Sequence, residues 1–306
     1  MTAPLLAILV ATRDREASLR RLLASALAMT GVRDTPLEIV VADNASADRT
    51  PLVVADAARR LPAIRYLAVP ERGKSRALNQ AIRATGAPVL AFLDDDVELD
   101  RGWLLAVHGY FARAHVAAAQ GTIRLPPEAA RDPAVVAAVE RWRTIPRCDL
   151  GLTARESRSL IGANMFVMRD TFARVGLFDE RLGPGAAGAS EDTELARRIR
   201  AAGGRIGYVP DAVVYHAVEP DRLSAVSFRA LHESRGRSRV YYKRSGLATH
   251  VLPNLAAAAL RLGAGALSGR AETRIRALGR WYHYRAMLAA RRAPRLPGGI
   301  PRLAGT

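Results

Sequence analysis

The chain has 306 residues, 49% of them hydrophobic, and a formal net charge of +17, which suits one large α/β domain with an appendage, or two smaller domains, built around a real core. A single cysteine, Cys148, excludes an intrachain disulfide framework and a four-cysteine zinc site; it fits a reducing compartment, so the expected location is the cytoplasm. No stretch offers the roughly 20 uninterrupted apolar residues of a spanning helix, and the charge is concentrated in residues 222–306, where 17 arginines and lysines face only Glu233 and Glu272.

Leu5–Ala11 is apolar, with no basic residue before it and Arg13, Asp14, Arg15 and Glu16 directly after it. It therefore reads as a buried first strand and not as a signal sequence. Further apolar runs at Leu37–Ala42, Ile64–Val69 and Val89–Leu93 alternate with helix-spaced patterns over Ala17–Met29, Pro51–Arg60 and Ser75–Ala84. That alternation predicts parallel strands joined by crossover helices. A helix from Trp103 to Ala114 and a strand from Val116 to Gln120 continue the series.

Each strand ends in a polar cluster: Thr12–Arg15, Asp43–Ser46, Glu71–Lys74, and Asp94, Asp95 and Asp96. Ligands of open α/β sheets bind outside the carboxyl ends of the strands, so four such clusters on one edge make a site. Three adjacent carboxylates are hard to hold without a cation. Hard oxygen ligands suit Mg²⁺ or Mn²⁺, and those ions suit phosphates; the plainer alternative is a solvated acidic turn. No glycine follows the first strand and no phosphate-binding glycine loop is present, so a nucleotide on this edge would be held by side chains and a metal.

These segments, with Gly162-Ala-Asn-Met165, Gly176–Glu180, Ser190-Glu-Asp192 and Val214-Tyr-His216 after them, occur in an order that resembles the family 2 glycosyltransferases over roughly residues 5–216. The resemblance implies a GT-A type, Rossmann-like mixed sheet flanked by helices, spanning residues 1–221, followed by a basic helical C-terminal region, 222–306. It further implies transfer of a sugar with inversion from a nucleotide-diphosphate donor to an acceptor hydroxyl. In that comparison Asp94-Asp95-Asp96 resembles the DxD metal motif, with Asp94 and Asp96 as ligands of Mn²⁺ or Mg²⁺ and His216 completing the set. Thr12, Arg13, Asp43, Lys74, Arg76, Asp94 and Asp95 fall in the nucleotide-binding segments, Asp43 against the base and Arg76 and Asp94 holding the nucleotide. The Gly162–Met165 segment would lie near donor sugar and acceptor, with Asn164 as its polar contact.

The same resemblance gives Asp192 the role of catalytic base, with Glu191 as the second candidate. Ser190 reads as the N-cap of a helix running to about Ala202. Acids in a first helical turn also complement the helix dipole with no catalytic purpose, Asp43 has good turn chemistry of its own, and a lone histidine is often structural. The segment from Pro126 to Ser159, with a helical stretch Ala134–Arg143, reads as an acceptor-side insertion, and Gly183–Gly188 as a mobile loop that closes on substrate or as a passive linker.

In the tail, Ala256–Leu267 is apolar but broken by Arg261, too short to span. Leu278, Trp281, Tyr282 and Leu288 form a helical stripe among Arg274, Arg276, Arg280, Arg291 and Arg292. Two readings stand: a helix lying on an anionic membrane surface, which would suit a lipid-linked or envelope saccharide acceptor and a peripheral place on the cytoplasmic face, or a helical pair packed back on the catalytic domain. A nucleic-acid-binding protein would explain the charge, but no such motif is visible and no specific nucleic acid is expected. A sugar-phosphate nucleotidylyltransferase would carry the glycine-rich first loop that is missing here.

Overall fold

The structure, a computed structural model, describes residues 6–267 and 269–303; Leu5 and the last three residues of the tail lie outside it. In chain order the elements are β1 (Leu6–Thr12), α1 (Glu16–Leu27), β2 (Leu37–Asp43), α2 (Thr50–Arg60), β3 (Ile64–Ala68), α3 (Lys74–Ala84), β4 (Val89–Leu93), β5 (Val97–Leu99), α4 (Trp103–Phe111), β6 (Ala118–Arg124), α5 (Pro127–Arg131), α6 (Pro133–Trp142), β7 (Arg155–Glu156), β8 (Asn164–Met168), α7 (Arg169–Val175), α8 (Glu191–Ala201) and β9 (Ile206–His216). The tail adds α9 (Ala225–Tyr242), α10 (Leu252–Leu267) and α11 (Ala271–Arg292).

The strands form one mixed sheet in the order β3-β2-β1-β4-β8-β6-β9-β5, with β7 pairing on β9. β1, β2 and β4 read as unbroken apolar runs because helices cover both of their faces. Leu19 and Leu22 of α1, Val53 of α2 and Trp103 of α4 fill one side. Ala77 and Leu78 of α3, Phe172 of α7 and Leu195 and Ile199 of α8 fill the other.

From β1 the chain moves outward through β2 to β3 and then returns to β4 on the opposite side of β1, all in parallel. The strand order therefore reverses between β1 and β4, and the crevice at such a switch point is where a ligand binds. The side chains there meet directly: the Thr12 hydroxyl at the end of β1 donates to Asp95 Oδ2 beyond β4 at 2.8 Å.

β6 runs on to Arg124 because it pairs with both halves of the long β9, with a register shift at Gly121/Thr122. The fully buried Asn164 holds this irregularity. Its amide nitrogen donates to the Thr122 and Ala212 carbonyls at 2.9 and 2.7 Å, and its oxygen accepts the Trp103 indole N–H at 3.1 Å. A Cβ on Gly121 would stand 2.3 Å from that amide nitrogen, which is why glycine is needed there.

The tail packs on the rest of the chain. Along the α9–α11 interface Gly236 lies against the His283 carbonyl, and Gly279 against His232 and Phe228. Trp281, Tyr282, Leu278 and Leu288 are only partly exposed, and the Arg229 guanidinium sits 5.5 Å from the Tyr282 ring. The α11 stripe is thus partly covered within the tail itself, by α9. The last residues form a strap in which the Pro301 and Gly299 carbonyls accept from the N–H groups of Leu177 and Glu180, each at 2.9 Å. No described helix is long and apolar enough to cross a membrane.

Candidate active site

The carboxyl ends of β1, β2 and β4 open into a cleft of about 580 Å³, lined among others by Thr12, Arg13, Arg15, Lys74, the three aspartates, Glu219 and Arg222. β4 ends at Leu93 and β5 begins at Val97, so the aspartates form the turn between two buried strands and differ sharply in surroundings. Asp95 turns inward to Thr12, with Arg15 Nε 3.6 Å away. Burial pushes its carboxyl up to about 7 despite Arg15, and Asp96 adds to the rise.

Asp94 hydrogen-bonds the Lys74 ammonium, which is also 3.4 Å from Glu191 Oε1. Burial opposes ionisation of Asp94, but Lys74, with His216 and Arg222 beyond it, more than offsets this and holds the carboxyl below its usual range. Burial likewise opposes the Lys74 charge, and the two carboxylates win, raising its pKa. Burial raises Glu191, with Lys74 opposing and Asp192 adding. Lys74, at the first turn of α3, therefore ties the β4 turn to the first turn of α8.

Asp96 is the most crowded of the three. Its Oδ2 accepts from Arg222 at 2.9 Å and lies 3.4 Å from an Arg15 nitrogen. Its Oδ1 faces His216 Nε2 at 3.3 Å. His216 Nδ1 lies 2.9 Å from the Ala217 carbonyl; the proton of a neutral ring belongs on that nitrogen, since only an N–H can satisfy a carbonyl there. Nε2 then presents a lone pair to a carboxylate oxygen, and it is buried with no hydrogen-bond partner. One ligand atom from each of Asp94, Asp96 and His216 lies within 4.8 Å of the others. An imidazole nitrogen without a hydrogen-bond partner facing one carboxylate, with a second carboxylate alongside, is a donor set that a divalent cation would satisfy.

The other expected residues divide into those at the cleft and those away from it. Thr12 and Arg13 line it, and Arg13 is paired to Asp14 at 3.3 Å. Asp43, at the end of β2, accepts from the Ser46 N–H at 2.9 Å and the Tyr66 hydroxyl at 2.8 Å. Burial together with Asp43 raises that phenol to about 12. Arg76 is held between Glu71 (2.7 Å) and Glu180 (3.2 Å) and is not among the cleft residues. Asn164, expected beside the sugar, is instead fully buried with its amide committed to the sheet. Asp192 accepts from the Gly162 N–H at 3.1 Å. Gly162 borders Lys74 and Asp94: a Cβ there would be 3.5 Å from Lys74 Nζ and 3.7 Å from Asp94 Oδ1.

Ser190 does not cap α8 with its side chain. It sits in left-handed conformation, φ 74°, where the chain leaves the glycine loop. That loop lies closed against α3: the Pro184 carbonyl accepts from Lys74 N–H at 2.9 Å and the Leu182 carbonyl from the Ser75 hydroxyl at 2.8 Å. Arg15 and Arg222 went unnoticed in sequence, where arginine is common and carries little signal. Thr12 is near enough in sequence to have pointed to Arg15, but nothing local marks Arg222, which reaches Asp96 from beyond β9 and anchors on the Thr144 carbonyl at 3.0 Å.

A mixed sheet with its crevice at the β1/β4 switch point, walled by carboxylates, a histidine and basic side chains, belongs to the GT-A class of folds. The chain is a member of glycosyl transferase family 2, whose sequence profile matches residues 7–172. It is 29% identical over 211 residues to the pre-mycofactocin glycosyltransferase of Mycobacterium tuberculosis, a match covering 68% of this chain but only 42% of that protein. Among solved structures it resembles a mannosyltransferase from Pyrobaculum calidifontis in complex with GDP-Man and Mn²⁺ (TM-score 0.61, 20% identity, 95% of this chain and 88% of that one). It also resembles residues 1–349 of S. aureus TarS in complex with UDP-GlcNAc (TM-score 0.54, 16% identity, 94% and 91%).

Proposed function

We propose that the chain transfers a sugar, with inversion, from a nucleotide-diphosphate donor to an acceptor hydroxyl with the help of a divalent cation, in the making of an envelope polysaccharide or glycolipid at the cytoplasmic face of a membrane. The observation that carries this reading is the approach of the buried His216 Nε2 to Asp96 Oδ1 at 3.3 Å, set at the switch point with Asp94 beside them. Asp94, Asp96 and His216 would hold the cation, and imidazole among carboxylates favours Mn²⁺ over Mg²⁺. Bound there, it would act as a Lewis acid toward the charge building on the departing nucleoside diphosphate.

Arg15 and Arg222 would supply further positive charge to the phosphates from the same wall, with Thr12, Arg13 and Lys74 around the nucleotide and Asp43 toward its base. Asp192 takes the proton of the acceptor hydroxyl as that oxygen bonds to the anomeric carbon and the bond to the diphosphate breaks with its electron pair. The Gly162 N–H and the start of α8 fix the orientation of that carboxylate. Residues 1–221 would form the catalytic unit and 222–306 the C-terminal region, stitched together by Arg222.

The reading is tested with Asp192→Asn assayed against a panel of nucleotide sugars. Nucleotide binding should persist while transfer falls by about 10²-fold or more, the usual scale for losing a general base. Turnover at the native rate would move the role to Glu191 or refute it. Release of pyrophosphate from a nucleoside triphosphate and a sugar phosphate would instead favour nucleotidylyl transfer.

A further inference from the structure

α10 is built the wrong way round for a helix in water. Its buried positions are Ala258 and Gly265, continuing from Val251. The opposite face carries Leu252, Pro253, Ala256, Ala259, Leu260, Gly263, Ala264 and Ala266, every one exposed. At 3.6 residues per turn these cover an arc of roughly 160° without a polar side chain. Leu260 is 76% exposed and Leu252 44%, and Leu247, in the turn before the helix, 43%. An uninterrupted apolar face of this size is uncommon on a surface that meets only water.

The charges around it select the partner. Lys243 and Arg244 precede the helix and are exposed; Arg261 flanks the face, and Arg270 and Arg274 follow it, also exposed. Arg291 reaches back to the Ser245 carbonyl at the same end as Lys243. Of the acids near the C-terminal end of α10, Glu272 is engaged by Arg276 and Arg143 and Glu140 by Arg147. An apolar strip framed by cations fits an anionic lipid surface, where acyl chains take the strip and headgroups the arginines. A second copy of this chain would bring the same positive frame against it. With 16 residues, about 24 Å long, the helix is shorter than the roughly 30 Å hydrocarbon layer and carries Arg261 within it, so it would lie along the interface and not across it.

We infer that the exposed face of α10, with Leu247 before it, is the surface by which this protein docks on anionic membranes. This deepens the membrane-side reading above and rests on it, but it assigns the contact to α10, since the aromatic stripe of α11 is already packed against α9. Because the face is rich in alanine and glycine, apolar insertion alone is weak, and binding requires both the leucines and the headgroup charge.

The test is co-sedimentation of the full chain with vesicles of phosphatidylcholine, with and without phosphatidylglycerol, at low and high salt and with no donor or metal. Binding should need phosphatidylglycerol and weaken with salt. Leu252→Asp combined with Leu260→Asp should reduce it by at least about tenfold, with circular dichroism and nucleotide binding unchanged. Leu52→Asp, an equally exposed leucine on α2 (66%), should bind as the native protein does. No binding to anionic vesicles would overturn the inference. So would full binding by the double variant, which would leave the tail a polycation only, or a native dimer that the double variant abolishes, which would make the face an interface between copies. Since transfer is not part of the readout, failure here is separable from failure of the catalytic reading.

Discussion

Replacing Asn164 by alanine leaves the Trp103 indole N–H and the Thr122 and Ala212 carbonyls without partners in a place closed to water. Each such group costs about 1–3 kcal/mol, so a loss of about 3–5 kcal/mol in stability is expected in urea unfolding. A variant with native stability but impaired transfer would return Asn164 to the substrate. Its segment was recognisable, yet its role depends on a shift between β6 and β9 that no local pattern reveals. Asp94, Asp96 and His216 were legible because they close apolar runs whose ends must meet on one edge. Arg222 was not, because its approach to Asp96 is set by how the chain turns after β9, and one arginine among many is no signal. Arg76 shows a different limit: residue type and motif position suggest a phosphate contact, whereas in the structure its guanidinium is paired with Glu71 and Glu180.

Between α9 and α11 lie two histidines, His232 and His283, each brought down to about 4: burial disfavours the charged form, Arg235 opposes it at His232, and Arg239 is the main such cation at His283. Unfolded histidine titrates near 6.5. Below that pH the unfolded chain binds protons that the folded interface refuses, so stability is full above about 6.5 and falls as pH drops toward 4. Acidification from neutral to pH 5 should cost roughly 1–3 kcal/mol through the pair, read as a lower melting temperature. His232→Phe with His283→Gln should flatten that dependence; an unchanged slope would place its source elsewhere.

At this scale the catalytic half was readable because strands covered on both faces must be continuous apolar runs, while β5 and β7 are too short to show any period. The glycine loop reads in sequence as a mobile loop or a passive linker, and in the structure it is bonded to α3 and, through Ala189 N–H and the Ser238 hydroxyl at 3.2 Å, to α9. In α11 the stripe is visible, but a helix stripe does not say what covers it, and part of it turns out to lie against α9.

For the molecule as a whole, one topological fact organises the chemistry: the chain reverses direction of growth between β1 and β4, and the carboxylates, the histidine from β9 and the first turn of α8 converge there. Most of the net charge sits apart from this centre, in the tail helices, while Arg222 just before them lines the cleft and α10 among them exposes an apolar face. The central claim is that Asp94, Asp96 and His216 take a divalent cation together with a nucleoside diphosphate. It is tested most directly by thermal shift of the native chain with a panel of nucleoside diphosphates, with and without Mn²⁺, beside His216→Ala and Asp96→Ala. Ligand linkage predicts a rise in melting temperature with at least one nucleotide that requires the metal and disappears in both variants. Stabilisation that is indifferent to Mn²⁺, or that persists in both variants, would contradict it.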